Sequence, residues 1–271
     1  MPRGTAERNA ALWGARPRDW AEVQEGQVRP LYEAVLDELR IGAGTRLLDV
    51  GCGAGMASQL AAERGARVSG FDATAPLLAV ARERVPEGDF RVGDMESLPW
   101  DAGSFDAVVG FNSFQFAADP AVALGEAGRV AVDGAPIAIA TWGPEDQCEA
   151  RAVLRAQGAL LPPPPPGAPG PFAMSQPGAL DGFVERTGLR AGESRDVECV
   201  WRYPDVDTAM RGLKAAGPTT AAIREAGEER VDEVLREALR PFTGDDGTVT
   251  IRNVFRYTVA STSPGSAGRT S

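Results

Sequence analysis

The sequence predicts an α/β protein with a doubly wound, mostly parallel sheet and helical insertions. Three observations support this fold class. Apolar strand-like runs alternate with helical patterns, a glycine-rich turn follows the first run, and an acidic residue ends the second. The chain has 271 residues, 43% hydrophobic and 24% charged, which is enough for one such core with additional segments.

The predicted strands and helices alternate along the first half of the chain. Strands are expected at residues 47–51, 67–72, 89–94, 105–111 and 135–142. Helices are expected at residues 56–64, after Thr74 and from Asp119-Pro120, and another at 228–240. About two further strands are needed to complete a seven-stranded sheet, and residues 250–260 read as the last strand. In such sheets, ligands bind at the carboxyl ends of the strands.

The chain divides into four predicted parts. An N-terminal helical cap is expected over residues 1–44, with two short helices meeting near Arg29 because Pro30 interrupts one long helix. The core covers residues 45–142, and residues 143–260 are expected to supply lid helices and the last strands. Residues 261–271 are expected to form a disordered tail, since they contain too few apolar residues to order themselves.

Composition excludes several classes of function. The formal charge is −10 with no run of basic residues, which argues against nucleic-acid binding. No stretch is long enough for a membrane span and no signal sequence begins the chain, so a cytoplasmic protein is expected. Histidine is absent, and the three cysteines lack metal-site spacing, so no metal is expected.

The turn after the first strand, in LLDVGCGAG (47–55), predicts a ligand site where backbone N–H groups face the ligand. A dinucleotide fingerprint would need glycine at position 56, where this chain has Met56. Asp49 lies beside the place that a pyrophosphate would occupy, and its carboxylate is a poor neighbour for negative charge. An ammonium-bearing ligand fits that carboxylate better.

Two further acidic residues favour a nucleoside. Asp72 ends the second strand about 20 residues after the glycines, where a carboxylate accepts hydrogen bonds from ribose hydroxyls. Asp94 ends the third strand and can accept from an exocyclic amino group, with Met95 beside it as an apolar contact for a purine. A nucleoside carrying an amino acid in place of phosphates fits all of these residues.

Four segments carry a resemblance to a known family. LLDVGCGAG, GFDAT, GDMESLPWDAGSFDAVV and IAIATWGP are similar to the successive motifs of class I S-adenosylmethionine-dependent methyltransferases. The likeness is greatest to the small-molecule branch that includes ubiquinone- and menaquinone-biosynthesis enzymes, and it covers residues 45–142. It implies a Rossmann-like fold, S-adenosyl-L-methionine as cofactor and transfer of its methyl group to a small-molecule acceptor.

The resemblance also implies cofactor-binding positions. Gly51 and Gly53 would approach the methionine part, Ala73 would adjoin the ribose beside Asp72, and the Phe111 backbone would lie near the amino-acid end. The resemblance does not give the oligomeric state or the acceptor.

Candidate catalytic residues follow the fourth and fifth strands. Asn112 and Gln115 are placed to orient an acceptor, and Trp142 and Glu145 follow the next strand. Because a sulfonium methyl is already activated, catalysis needs alignment and exclusion of water more than a dedicated base.

Two other classes of function remain open at this point. A nicotinamide-dependent oxidoreductase would share the fold but is disfavoured by Met56 and Asp49. A methyltransferase-like protein that uses the bound cofactor for non-methylating chemistry, or only binds it, would share every cofactor residue. Measuring whether S-adenosylmethionine or NAD binds separates a methyltransferase from the oxidoreductase. Measuring turnover to S-adenosylhomocysteine separates a methyltransferase from the non-methylating protein.

Overall fold

The computed structural model describes residues 4–163, 165 and 169–262. Its centre is a seven-stranded sheet flanked by helices on both faces. The strands are β1 (Arg46–Val50), β2 (Arg67–Asp72), β3 (Asp89–Val92), β4 (Ala107–Phe111), β5 (Pro136–Trp142), β6 (Arg195–Tyr203) and β7 (Val249–Ser261). The prediction of a mostly parallel seven-stranded α/β sheet is confirmed.

The helices fill the connections between these strands. They are α1 (Ala6–Trp13), α2 (Pro17–Asp19), α3 (Arg29–Glu38), α4 (Met56–Glu63), α5 (Ala75–Arg84), α6 (Pro120–Val130), α7 (Arg151–Gly158), α8 (Ala179–Glu185), α9 (Val206–Lys214), α10 (Gly217–Ala226) and α11 (Glu228–Leu239). Between α2 and α3 the chain forms a π-helical turn, Trp20–Gln24, and then a 3₁₀ turn, Glu25–Val28.

The strand order is β3-β2-β1-β4-β5-β7-β6. Strands β1 to β5 are parallel, while β7 pairs antiparallel with both β5 and β6. From β1 the chain adds β2 and β3 on one side and then β4 and β5 on the other, so the strand order reverses between β1 and β4. These two strands are parallel. Their carboxyl ends therefore border a crevice at this switch point.

Two hydrophobic cores lie on opposite faces of the sheet. Leu47 belongs to one core and its neighbour Leu48 to the other, because successive side chains of a strand point to opposite faces. The core around Leu47 also contains Leu31 of α3 and Leu235 of α11, so the N-terminal and C-terminal helices share one interior with the sheet. The core around Leu48 is covered by α6 and α8.

Most predicted boundaries agree with the structure to within two residues. The first core helix begins at Met56, and α3 begins at Arg29 with Pro30 in its first turn, where proline is tolerated. The predicted tail overlaps β7, which includes Ser261 and pairs it with Pro136. The rest of that expectation, residues 263–271, lies outside the described residues.

Candidate active site

A cavity of about 560 Å³ lies at the carboxyl ends of the central strands. Gly51, Asp72, Phe111 and Trp142, which end or follow β1, β2, β4 and β5, all contribute to its wall. The two turns at residues 20–28, together called the cap turn, and helices α1, α7, α9 and α10 supply residues to the remaining wall. This volume suits small-molecule ligands, whose sites commonly measure about 300–1,000 Å³.

The glycine-rich loop after β1 has a backbone that only glycine adopts readily. Gly51, Gly53 and Gly55 have φ angles of +75°, +55° and +82°. A Cβ at Gly51 would lie 2.3 Å from the Ser113 Cβ, a separation that no real pair of carbon atoms tolerates. The loop is therefore held close to the segment after β4, and its backbone is exposed to the cavity.

A carboxylate of the protein already occupies the N-terminus of α4. Glu25 Oε1 accepts hydrogen bonds from the backbone N–H groups of Ala54 (3.1 Å) and Met56 (3.4 Å). Arg84 forms an ion pair with Glu25 and donates to the carbonyls of Ala54 (2.9 Å) and Ala21 (2.7 Å). Burial raises the pKa of Glu25, and Arg84 opposes that increase. A helix N-terminus is the usual anion site in this fold, so a pyrophosphate has no free place here.

Asp49 is a buried carboxylate with one unsatisfied oxygen. Its Oδ2 accepts from the Ser58 hydroxyl at 2.8 Å, whereas its Oδ1 has no hydrogen-bond partner among the described residues. Burial, together with the charges of Glu25 and Asp72, raises the pKa of Asp49 to about 7, and the hydrogen bond from Ser58 opposes this increase. A cation beside this group would stabilise its charged form.

Asp72 and Asp94 are the charged side chains in the described part of the cavity wall. The Asp72 carboxylate accepts from the N–H groups of Gly53 (2.9 Å) and Thr74 (2.8 Å), which fixes its orientation. Burial raises the pKa of Asp72, and the hydrogen bond from Gly53 opposes this. Asp94 Oδ1 accepts from the Glu96 N–H at 3.1 Å. Ala73 and Met95, next to these aspartates, line the same cavity.

Four residues at the end of β4 and just after it line the cavity, and three of them are predicted site residues. Phe111 packs edge-on against Tyr32, with ring centroids 4.7 Å apart. Asn112 adopts a positive φ of +49°, and its Oδ1 accepts from Gln115 Nε2 at 3.4 Å. Ser113, which sequence reasoning overlooked, has a buried Oγ without a partner in the described structure. All of these residues line the cavity.

Trp142 and Glu145 occupy different places. The Trp142 ring stacks on Phe255 with centroids 4.6 Å apart and lines the cavity. Glu145 instead borders a separate depression, where its carboxylate pairs with Arg155 at 2.5 Å. The structure therefore brings the predicted site residues together around one cavity, with two exceptions. Asp49 precedes the glycine-rich loop and is not part of the cavity wall, and Glu145 borders the separate depression.

Several cavity residues could not be found from sequence patterns. Trp20, Gln24, Val28 and Tyr32 recur at intervals of four and line one wall. These four residues lie on three successive segments of different pitch, the π-helical turn, the 3₁₀ turn and α3, so their meeting at one cavity depends on tertiary packing. The positions of Gln157 and Thr219 depend on the packing of α7 against α10, which no local pattern reports.

The arrangement fits a nucleoside with a cationic amino-acid part. Asp72 and Asp94 follow neighbouring strands, as acceptors for a ribose and a base should. The unpaired Asp49 oxygen favours positive charge near the glycine loop, and Glu25 excludes phosphate from it. Among the described residues no group of His, Cys, Asp or Glu side chains could hold a metal ion.

Comparisons with known proteins agree with this chemistry. Residues 48–139 match the family described as methyltransferase domain. Malonyl-(acyl-carrier protein) O-methyltransferase of Erwinia pyrifoliae is 28% identical over 210 residues, covering 78% of this chain and 76% of that protein. Demethylmenaquinone methyltransferase of Renibacterium salmoninarum is 33% identical over 140 residues, covering 50% of this chain and 59% of that protein.

Solved structures show the same fold. The (4+2)-cyclase SpnF superimposes with a TM-score of 0.57 at 18% identity, covering 87% of this chain and 81% of that one. No helix within residues 4–163, 165 and 169–262 combines the length and apolarity needed to cross a membrane. From its glycine loop, its ordered aspartates and these matches, the segment of residues 48–139 is a methyltransferase domain, and the chain is similar to S-adenosylmethionine-dependent methyltransferases of small molecules.

Proposed function

We propose that this protein transfers a methyl group from S-adenosylmethionine to a free small molecule bound in the same cavity. The observation that carries the proposal is the continuity of the cavity. One space of about 560 Å³ reaches from Asp72 and Asp94 to Trp142 and the helices beyond. When bound, the cofactor supplies a methyl group on a positively charged sulfur, which needs a nucleophile aligned behind it.

The residues on the cofactor side would act by binding and orientation. Asp72 would accept from the ribose hydroxyls, since its two hydrogen bonds from Gly53 and Thr74 leave lone pairs free. Asp94 and Met95 would border the base, and Gly51, Gly53 and the Phe111 backbone would border the amino-acid part. Asp49 would favour the ammonium group from behind the loop.

The acceptor side offers positioning rather than a charged base. Its described wall contains Asn112, Gln115 and Trp142 but no carboxylate, lysine or arginine. Exclusion of water and alignment of the acceptor would therefore supply the acceleration. Glu145 stays outside this scheme, because it borders a different depression and is paired with Arg155.

A free small molecule suits this cavity better than a carrier-bound acceptor. The cap turn and helices α9 and α10 all contribute residues to the wall, and a volume of about 560 Å³ is of the size that small-molecule sites have. The buried, unpaired cysteines Cys52, Cys148 and Cys199 favour a reducing compartment, so we place the activity in the cytoplasm.

Titration calorimetry tests the cofactor step. S-adenosylmethionine and S-adenosylhomocysteine should bind, and NAD should not, because Glu25 holds the anion site at α4. Tight binding of NAD alone would overturn the proposal.

Release of S-adenosylhomocysteine in the presence of a metabolite panel tests methyl transfer. Acceptor-dependent release supports the proposed activity. Cofactor binding combined with conversion of a compound without any release of S-adenosylhomocysteine would instead show non-methylating chemistry.

A further inference from the structure

Two buried glutamines line the same cavity as the proposed cofactor residues. Gln24 belongs to the π-helical turn and is 5% exposed, and Gln157 belongs to α7 and is 4% exposed. Gln24 Oε1 accepts a hydrogen bond from the Tyr203 hydroxyl at 2.8 Å. Gln157 Oε1 accepts from Thr219 Oγ1 at 2.7 Å. Each amide thus has its carbonyl oxygen engaged by a hydroxyl of the protein.

This pairing fixes which end of each amide remains available. Burial raises the pKa of Tyr203 well above its usual value, so its hydroxyl stays protonated and needs an acceptor. Gln24 Oε1 is the acceptor that the structure provides. Neither Gln24 Nε2 nor Gln157 Nε2 has a hydrogen-bond partner in the described part of the chain. An amide nitrogen left unpaired in a buried wall costs free energy unless a ligand or water accepts from it.

The wall of the described cavity that these amides share is largely uncharged and includes several aromatic side chains. Tyr32, Trp142, Trp201 and Phe255 line the same cavity, and the Trp142 ring lies 5.8 Å from Trp201 and 4.6 Å from Phe255 between centroids. The charged side chains that line the described cavity, Asp72 and Asp94, follow β2 and β3 on the cofactor side. A charged acceptor would lose its hydration here, and apart from Asp72 and Asp94 the described wall offers it no ion-pair partner.

We propose that Gln24 and Gln157 bind the methyl acceptor by donating hydrogen bonds from their Nε2 groups to oxygen atoms of an uncharged, flat, apolar molecule. This inference rests on the proposed function, since it assigns the acceptor end of the same cavity. It predicts discrimination against carboxylates and against amines, because the wall offers donors but neither a cation nor an anion.

Three matched probes test the charge preference. They share a hydroxynaphthalene ring: 6-acetyl-2-naphthol is neutral with two oxygens, 6-hydroxy-2-naphthoate is an anion, and 6-(aminomethyl)-2-naphthol is a cation. Each is titrated into protein saturated with S-adenosylhomocysteine. The neutral probe should bind at least tenfold more tightly than either charged probe.

Paired substitutions test the two donors without leaving a hydroxyl unsatisfied. Gln157→Leu with Thr219→Val removes both members of one hydrogen bond, and Gln24→Leu with Tyr203→Phe removes both members of the other. Replacing both partners by apolar groups of similar shape keeps the fold stable. Each pair of substitutions should weaken the binding of 6-acetyl-2-naphthol by about five- to tenfold, as expected for one lost neutral hydrogen bond. Gln59→Leu, a change on α4 outside the cavity wall, is the control and should leave probe affinity unchanged.

The outcomes separate this inference from the proposed function. If S-adenosylhomocysteine does not bind the unaltered protein, the proposed function fails and the assignment of the acceptor end fails with it. If S-adenosylhomocysteine binds but a charged probe binds most tightly, or no probe binds, the inferred acceptor class is wrong while the cofactor site stands. Equal affinity of the neutral probe for both paired variants and the unaltered protein would remove the glutamines from the site.

Discussion

Asp72 is the side chain on which the proposed ribose contact depends. Asp72→Ala should weaken S-adenosylhomocysteine binding by about 1–3 kcal/mol, because two ribose hydroxyls would lose their acceptor. Asp72→Asn is the matched control: it keeps one oxygen for the N–H of Gly53 or Thr74 and should lose less affinity. Calorimetry on both variants measures the difference. Unchanged affinity in Asp72→Ala would remove this residue from the cofactor site.

Asp49 should make cofactor binding depend on pH. Its pKa of about 7 means that the free protein is partly protonated there, whereas a neighbouring ammonium favours the ionised form. Affinity for S-adenosylmethionine should therefore rise by up to about tenfold from pH 6 to pH 8, with proton release on binding. Titrations in two buffers of different ionisation enthalpy count the protons. Asp49→Asn should flatten the profile, and a slope that persists in this variant would assign the proton elsewhere.

The same ionisation has the opposite effect on folding without ligand. The folded-state pKa of Asp49 is raised from 3.8 to about 7, so its contribution to stability is greatest below the unfolded pKa. That contribution is lost as pH rises through about 7, where a buried carboxylate with an unpaired oxygen must ionise. Bound cofactor should offset this loss.

Sequence reasoning could predict those site residues that directly follow strands. Asp49, Gly51 and Asp72 lie at or near strand ends, and parallel strands bring such positions together whatever the rest of the fold does. Glu25 and Gln157 carried no such signal. A single glutamate or glutamine in a helical segment usually lies on the solvent-exposed face of the helix. Glu25 and Gln157 are buried instead, because tertiary packing places one at the glycine loop and the other in the cavity wall.

Among the elements, the cap turn is fastened to the core by Glu25 and Arg84. Their ion pair joins the 3₁₀ turn to α5, and Glu25 also accepts from the first N–H groups of α4. Glu25→Ala should lower the free energy of unfolding by about 3 kcal/mol, because Arg84 would keep a partly buried charge without its partner. Urea denaturation measures the loss.

A conservative change isolates the charge of this pair. Glu25→Gln keeps an oxygen for the N–H groups of Ala54 and Met56 but removes the negative charge, so its loss should be smaller. Equal stability of Glu25→Ala and the unaltered protein would show that the cap turn docks without this contact.

The periodicity of residues predicted most helices and strands well, but it could not predict the cap. An interruption near Arg29 was predictable from Pro30, and α3 does begin there. The π-helical turn before it has no sequence signature, because its extra residue per turn is stabilised by docking of Gln24 against Tyr203 and α9. Such a turn follows from tertiary contacts rather than from local preference.

At the scale of the whole molecule, the N-terminal segment and helices α7, α9 and α10 all contribute to the wall of the proposed site. Trp13 contacts Trp20 and Phe116, and Thr5 and Asn9 both donate to the Phe116 carbonyl at 2.5 and 2.9 Å. Residues 13–31 should gain protection from hydrogen exchange when S-adenosylhomocysteine binds, because these contacts close over the occupied cavity. Exchange that is equal with and without ligand would show a cap that is already fixed.

The position of β7 between β5 and β6 has a consequence for how the chain folds as it is synthesised. Within the described residues β6 pairs with β7 alone, and β7 also pairs with β5, which was completed more than a hundred residues earlier. Until residues 249–261 leave the ribosome, β5 exposes an unpaired edge and β6 has no strand to join. The five parallel strands can assemble first, while the part of the nascent chain after β5 waits for a single long-range closure. Ribosome-bound chains that end before residue 249 should therefore be sensitive to proteases beyond β5.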